Sequence, residues 1–314
     1  MLTAVFSLAG ALVFGAADFL GGLAAKRVSS ILATAVASLT GLVLLLIALP
    51  FLGGAWTPHD VFWGVISGIA GAVAISLLYA CLAIGPMSIL SPLTAVVSAI
   101  VPMVWGLLVG GERFATLGYW ALGLALVAVV LVGFVPERGA VRPSLRGILM
   151  AIGSGIAIGA FFITIDQTSP ESGAVPLLIN RGVNATIMFA VLGVLALVGI
   201  ARRRDGGHDE PTAERMPRRT SVGAAVAPAR TATVTATAAG VRLAIACGAV
   251  DVVANGLLLI GIRAGDLSVA AVLGAMYPAG TILLAALVLK ERIAPVQWAG
   301  LVLALTAAGM LAVA

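Results

Sequence analysis

The chain has 314 residues, 61% of them hydrophobic and only 10% charged, with a mean hydropathy of +1.16. Soluble globular chains are about 45–50% apolar and about 25% charged. A water-soluble fold of this size has nowhere to hide so much apolar surface, which excludes a soluble enzyme, a nucleic-acid binder and a disordered chain.

Apolar runs about 20 residues long, the length that crosses a 30 Å hydrocarbon core, recur along the whole chain. Taken in order they predict spans at about 3–24, 31–52, 61–84, 88–110, 116–135, 146–165, 175–200, 241–262, 267–289 and 294–313. The runs are continuous rather than alternating, so they read as helices and not as barrel strands. No Lys or Arg precedes the first run, so it is expected to be a retained span rather than a signal peptide. Gly64/Gly68 and Gly155/Gly159 stand at the small-xxx-small spacing that lets helices pack closely. Trp56, Trp63, Trp120 and Trp298 fall near the span ends, where amphipathic rings anchor at the interface. Cys81 and Cys247 sit singly in apolar runs and read as small core residues.

Residues 201–240 break the pattern. They are rich in Arg, Thr, Ala, Pro and Gly and hold no aromatic residue, so a disordered basic loop is expected there. Between Arg202 and Arg242 lie eight Arg against Asp205, Asp209, Glu210 and Glu214. Most of the net charge of +5 is therefore local to this segment. Of the 18 Lys and Arg, fifteen fall in connections on one side: Lys26 and Arg27, Arg138, Arg142 and Arg146, the eight around the loop, and Lys290 and Arg292. Arg113 and Arg263 lie on the other side. The positive-inside rule then puts the 201–240 loop in the cytoplasm of a multi-pass plasma-membrane protein.

The chain also repeats itself. Residues 85–113 read GPMSILSPLTAVVSAIVPMVWGLLVGGER, and residues 265–292 read GDLSVAAVLGAMYPAGTILLAALVLKER. Each has Gly, Ser three residues later, a long apolar stretch and a terminal Glu-Arg, at Glu112-Arg113 and Glu291-Arg292. Each runs on into a Trp-bearing span, through Trp120 and Trp298. FGAADF at 14–19 and IGAFFI at 158–163 match more weakly. The expected fold is therefore all-α: ten transmembrane helices in two inverted five-helix repeats, 1–136 and 144–314, the second interrupted by the 201–240 loop. An odd number of spans per repeat inverts the second unit, an arrangement suited to alternating access.

Ten spans, two five-helix units and a helix ending in Gly-Glu-Arg or Lys-Glu-Arg resemble the drug/metabolite transporter superfamily, EamA-like branch. The resemblance implies secondary transport or efflux of small metabolites, often amino acids or related compounds. Pro278 lies thirteen residues before Glu291, as in that family, whereas Pro102 lies ten before Glu112.

A charge inside a bilayer costs roughly 2.5–3.5 kcal/mol on insertion scales, so such groups usually face a wet cavity. Asp18 in the first span, Arg181 in the seventh, Asp251 in the eighth and Asp166 at the end of the sixth are the candidates. Asp251 and Asn255 share a helix face, and Asn180, Arg181 and Asn184 make another. Arg181 suits a substrate carboxylate. Asp251 and Asp18 suit a proton, and Arg181 paired with Asp251 or Asp166 is the purely structural alternative. Tyr277-Pro278 is expected to bend the ninth span and expose carbonyls, with Ser91-Pro92 and Pro102 as counterparts in the fourth. Tyr79, Trp105 and Tyr277 are the candidate stacking residues, and the two Glu-Arg pairs are expected to serve in turns.

HExxH, GxSxG and a P-loop are all absent from the sequence, and His59 and His208 sit in connections, so neither an enzyme, a metal site nor a cofactor is expected. The expected partners are a small-molecule substrate, protons and the lipid bilayer, with no nucleic acid. A flippase for a lipid-linked substrate, or a non-transporting scaffold or sensor acting through 201–240, are the alternatives.

Overall fold

The computed structural model describes residues 1–84, 87–133, 143–205, 227–290 and 292–313. Glu291, Arg138, Arg142, His208 and residues 206–226 of the expected loop lie outside the described residues, as do the side chains of Tyr79 and Ser91.

In lipid a backbone must satisfy its own N–H and C=O groups, and long apolar runs do so as helices. The helices are α1 (Leu2–Ala25), α2 (Ser30–Leu52), α3 (Pro58–Ile84), α4 (Met87–Leu108), α5 (Thr116–Gly133), α6 (Leu145–Asp166), α7 (Val175–Asp205), α8 (Ala227–Arg263), α9 (Leu267–Gly274), α10 (Tyr277–Val288) and α11 (Pro295–Val313). No strand occurs among the described residues. Nine stretches there are long and apolar enough to cross a membrane, and Pro92–Leu108 is a shorter apolar helix beside them. Serine hydroxyls close two starts: Ser29 accepts from Leu32 N–H at 3.2 Å and Ser144 from Gly147 N–H at 3.1 Å.

The ninth predicted span is two helices. α9 ends at Gly274 and α10 begins at Tyr277, with Pro278 in its first turn. The fourth span differs: α4 runs unbroken through Pro92 and Pro102. The two spans matched in the expected repeat therefore differ in shape. One landmark is conformational. Gly111, just before Glu112, has φ +71°, and Lys290, just before Glu291, has φ +57°. Both stretches leave their helix through a left-handed residue, although one is a lysine.

Both ends of the expected disordered loop, 201–240, are helical instead. α7 continues to Asp205 and α8 already starts at Ala227. Six alanines between 227 and 239 favour helix, and the apolar helix that follows supplies the nucleus from which it propagates backwards. At 31 residues α7 is about 46 Å long, well beyond a hydrocarbon core of about 30 Å.

The helices pair in a pattern that survives exchange of the two halves. α1 packs on α8 as α6 packs on α3; α4 packs on α6 as α10 packs on α1; α2 packs on α8 as α7 packs on α3. α5 and α11 pair with each other, as do α2 and α7. Small residues set these approaches. A Cβ on Gly68 of α3 would fall 2.7 Å from Val183 Cβ and 2.9 Å from the Asn180 carbonyl oxygen of α7. On Gly155 of α6 it would fall 2.6 Å from Val97 Cβ of α4. The expected packing role of these glycines is what the structure shows.

Candidate functional site

The break between α9 and α10 places polar backbone inside the bundle. Pro278 has no N–H to offer the Gly274 carbonyl, and Ala279 N–H turns to the Met276 carbonyl at 2.8 Å. Gly274, Ala275 and Tyr277 all border a cavity of about 180 Å³. That is room for on the order of ten waters, or a small metabolite.

Helices from both halves wall this cavity. α1 contributes Phe14 and Asp18; α3 contributes Gly71, Ala74, Ile75 and Leu78; α4 contributes Ser98. Ile158, Phe161 and Phe162 come from α6, Asn180, Arg181 and Asn184 from α7, and Asp251 and Asn255 from α8. Its charged residues are therefore Asp18, Arg181 and Asp251. Arg181 Nη2 lies 2.6 Å from Asp251 Oδ2. The pair is mostly enclosed, with side chains 11% and 20% exposed. Arg181 Nε is buried and has no hydrogen-bond partner among the described residues. Asp18 is exposed where it borders the cavity. The asparagines are held from behind: Ser38 donates to Asn184 Oδ1 at 3.2 Å, Asn180 donates to Ser67 Oγ at 3.0 Å, and Asn255 Nδ2 donates back to the Asp251 carbonyl at 2.8 Å.

Residues 220–313 match the EamA-like transporter family. That family is one of membrane transporters of small molecules and is generally non-enzymatic. The match covers the C-terminal third of the chain, and together with the long apolar helices it is consistent with a multi-pass membrane protein of the drug/metabolite transporter group. No curated protein matches the chain. A solved structure described only as a crystal structure of a protein is similar over 99% of this chain and 98% of its own, with a TM-score of 0.63 and 15% identity. At that identity the likeness speaks for the fold alone.

The matched EamA-like segment contains Asp251, Asn255 and Tyr277; Asp18, Arg181 and Asn184 lie outside it. The fold brings these six expected residues to one cavity. Asp166 is not among the lining residues. It sits at the last residue of α6, half-buried, and accepts a 3.3 Å bond from its neighbour Gln167. Of the two expected partners for Arg181, the structure has Asp251. Trp105 is 38% exposed and does not line the cavity, so Tyr277 is joined there by Phe14, Phe161 and Phe162 instead. In a chain this apolar, a phenylalanine in a span carries no mark that separates a cavity wall from a lipid-facing surface.

The connections at one end of the bundle are tied by polar contacts. Glu112, between α4 and α5, accepts from Leu267 N–H at 2.6 Å and from Ser268 N–H at 3.2 Å. A carboxylate from the first half therefore caps α9 of the second, since Asp266 at the N-cap position makes no side-chain cap. Asp60, fully buried at the start of α3, accepts from Ser169 N–H at 2.7 Å and Ser169 Oγ at 2.8 Å. Arg263 at the end of α8 donates to the Gly173 and Ser169 carbonyls at 2.9 and 3.0 Å and to Ser172 Oγ at 2.9 Å. Glu112 and Arg263 were readable only as span-end charges, because their partners are 90 or more residues away in sequence.

Proposed function

We propose that this protein is a secondary transporter that exports a small metabolite across the cytoplasmic membrane by alternating access, with proton coupling. The single observation that carries the reading is the position of the cavity. Its walls come from helices on both sides of residue 140, and it holds the charges that are costliest to bury. The exchange pattern of helix packing supports two pseudo-equivalent halves rocking about that site. Asp18 and Asp251 are the candidate proton carriers, while Arg181, Asn184, Asn255 and Tyr277 shape the site. Asp166 stands apart, at a helix end. The Lys/Arg bias supports placing the connection between α7 and α8 in the cytoplasm.

The test is a metabolite-wide export screen on an overexpressing strain, followed by proteoliposomes loaded with the best hit. An imposed pH gradient should drive its flux, and Asp251→Asn should abolish that drive. Full pH-driven flux in the Asp251→Asn protein would sink the proton-carrier role. Loss of function on replacing residues 206–226 with a Gly/Ser linker would point to the scaffold reading, because a transporter should tolerate it.

A further inference from the structure

The charges in the cavity do not balance. Arg181 is already met by Asp251 at 2.6 Å. Asp18 borders the same space, and among the described residues it makes no hydrogen bond or ion pair. With both carboxylates ionised the lining carries one net negative charge. The backbone adds to this. At the α9–α10 break the Gly274 and Ala275 carbonyls lack the donors that a continuous helix would supply from Pro278 and Ala279. The first turn of α10, which would otherwise present N–H groups, loses one at Pro278. Three aromatic rings complete the wall, Phe14, Phe161 and Phe162, the last two set edge to face with centroids 5.8 Å apart. Such rings offer negative faces to a positive charge.

We infer that the cavity selects an organic cation: a small amphipathic molecule whose ammonium group is met by Asp18 and by the carbonyls at the α9–α10 break, and whose apolar body lies among the phenylalanines. This rests on the proposed transport function and deepens it by giving the substrate a charge. An anion is disfavoured because its natural partner, Arg181, is already neutralised by Asp251. A molecule carrying a carboxylate would have to displace a protein carboxylate from a largely enclosed pair before gaining anything in exchange.

Three ring compounds of like size separate the possibilities: phenethylammonium, 2-phenylethanol and phenylacetate. Each is titrated by calorimetry against the purified protein in detergent. The expected order is cation, then neutral, then anion. Asp18→Asn should weaken the cation by roughly tenfold to a hundredfold, the range for a lost charge-assisted contact, and leave the neutral compound unchanged. A cation that binds no better than phenylacetate would overturn the inference, as would an unchanged cation affinity in a folded Asp18→Asn protein. The charge order is read on the unaltered protein, so it stands even if that variant fails to fold. Binding is scored apart from flux. Cation binding without transport by the reconstituted protein would count against the transporter reading alone, and transport of a hit with no cation preference would count against the charge selectivity alone.

Discussion

Arg181 of α7 and Asp251 of α8 face each other across the cavity wall with 2.6 Å between nitrogen and oxygen. Both helices pack on α2, and the pair ties them to each other beside it. Removing one partner leaves the other charged in an enclosed site, which typically costs about 3–5 kcal/mol. Asp251→Ala should therefore lower the unfolding free energy in detergent by about that amount. Replacing both residues with apolar ones, as in Arg181→Met with Asp251→Leu, should recover most of the stability but not transport. Equal loss in the single and double variants would show that the pair contributes nothing through its charge.

The cap formed by Glu112 makes a second, independent expectation. Glu112→Ala removes the acceptor for the Leu267 and Ser268 N–H groups at the start of α9. The loss should be in the capping range, about 0.5–2 kcal/mol. Glu112→Gln keeps an acceptor oxygen and should lie between that variant and the parent in thermal unfolding.

Glycines in α1 should divide sharply. A Cβ on Gly15 would overlap the Tyr277 carbonyl, and one on Gly280 would overlap the Leu12 carbonyl, so α1 and α10 lie backbone to backbone. Gly22, on the same helix, has nothing within 4 Å of its added Cβ. Gly15→Ala should destabilise by about 1–3 kcal/mol or more, because the obstacle is backbone and cannot swing aside. Gly22→Ala should be neutral or stabilising by up to about 1 kcal/mol. Unfolding of the two variants side by side checks the contrast.

Lys290 holds φ +57° at the position where the first half has Gly111. A side chain there costs about 1–2 kcal/mol relative to glycine. Lys290→Gly should raise the melting temperature, and Gly111→Val should lower it.

Most of the span pattern was readable because it rests on length and hydropathy, properties that the bilayer itself imposes on each segment separately. Asp18, Arg181 and Asp251 stood out for the same reason: their surroundings make any charge conspicuous. The bend at Pro278 was readable too, since a missing N–H is a property of the residue. Pro92 and Pro102 carry the same signal, yet α4 stays continuous, so whether a proline splits a helix depends on what packs around it. The long-range ties had no local signature. That Glu112 reaches α9, that Arg263 binds the 168–173 connection, and that Phe161 faces inward all follow from how the spans are arranged in space. The helical start of α8 at Ala227 was hidden by a composition that is equally common in unstructured chain.

The two-residue interval at Ala275 and Met276 lies between helices that share α1 as a neighbour, while α9 also packs on α4. Glu112 holds the start of α9, and Gly280 seats α10 directly against α1. The backbone between those anchors borders the cavity at Gly274, Ala275 and Tyr277. In the proposed transport cycle, a molecule resting there would touch the joint itself, so occupancy and articulation of this wall would share a single lever.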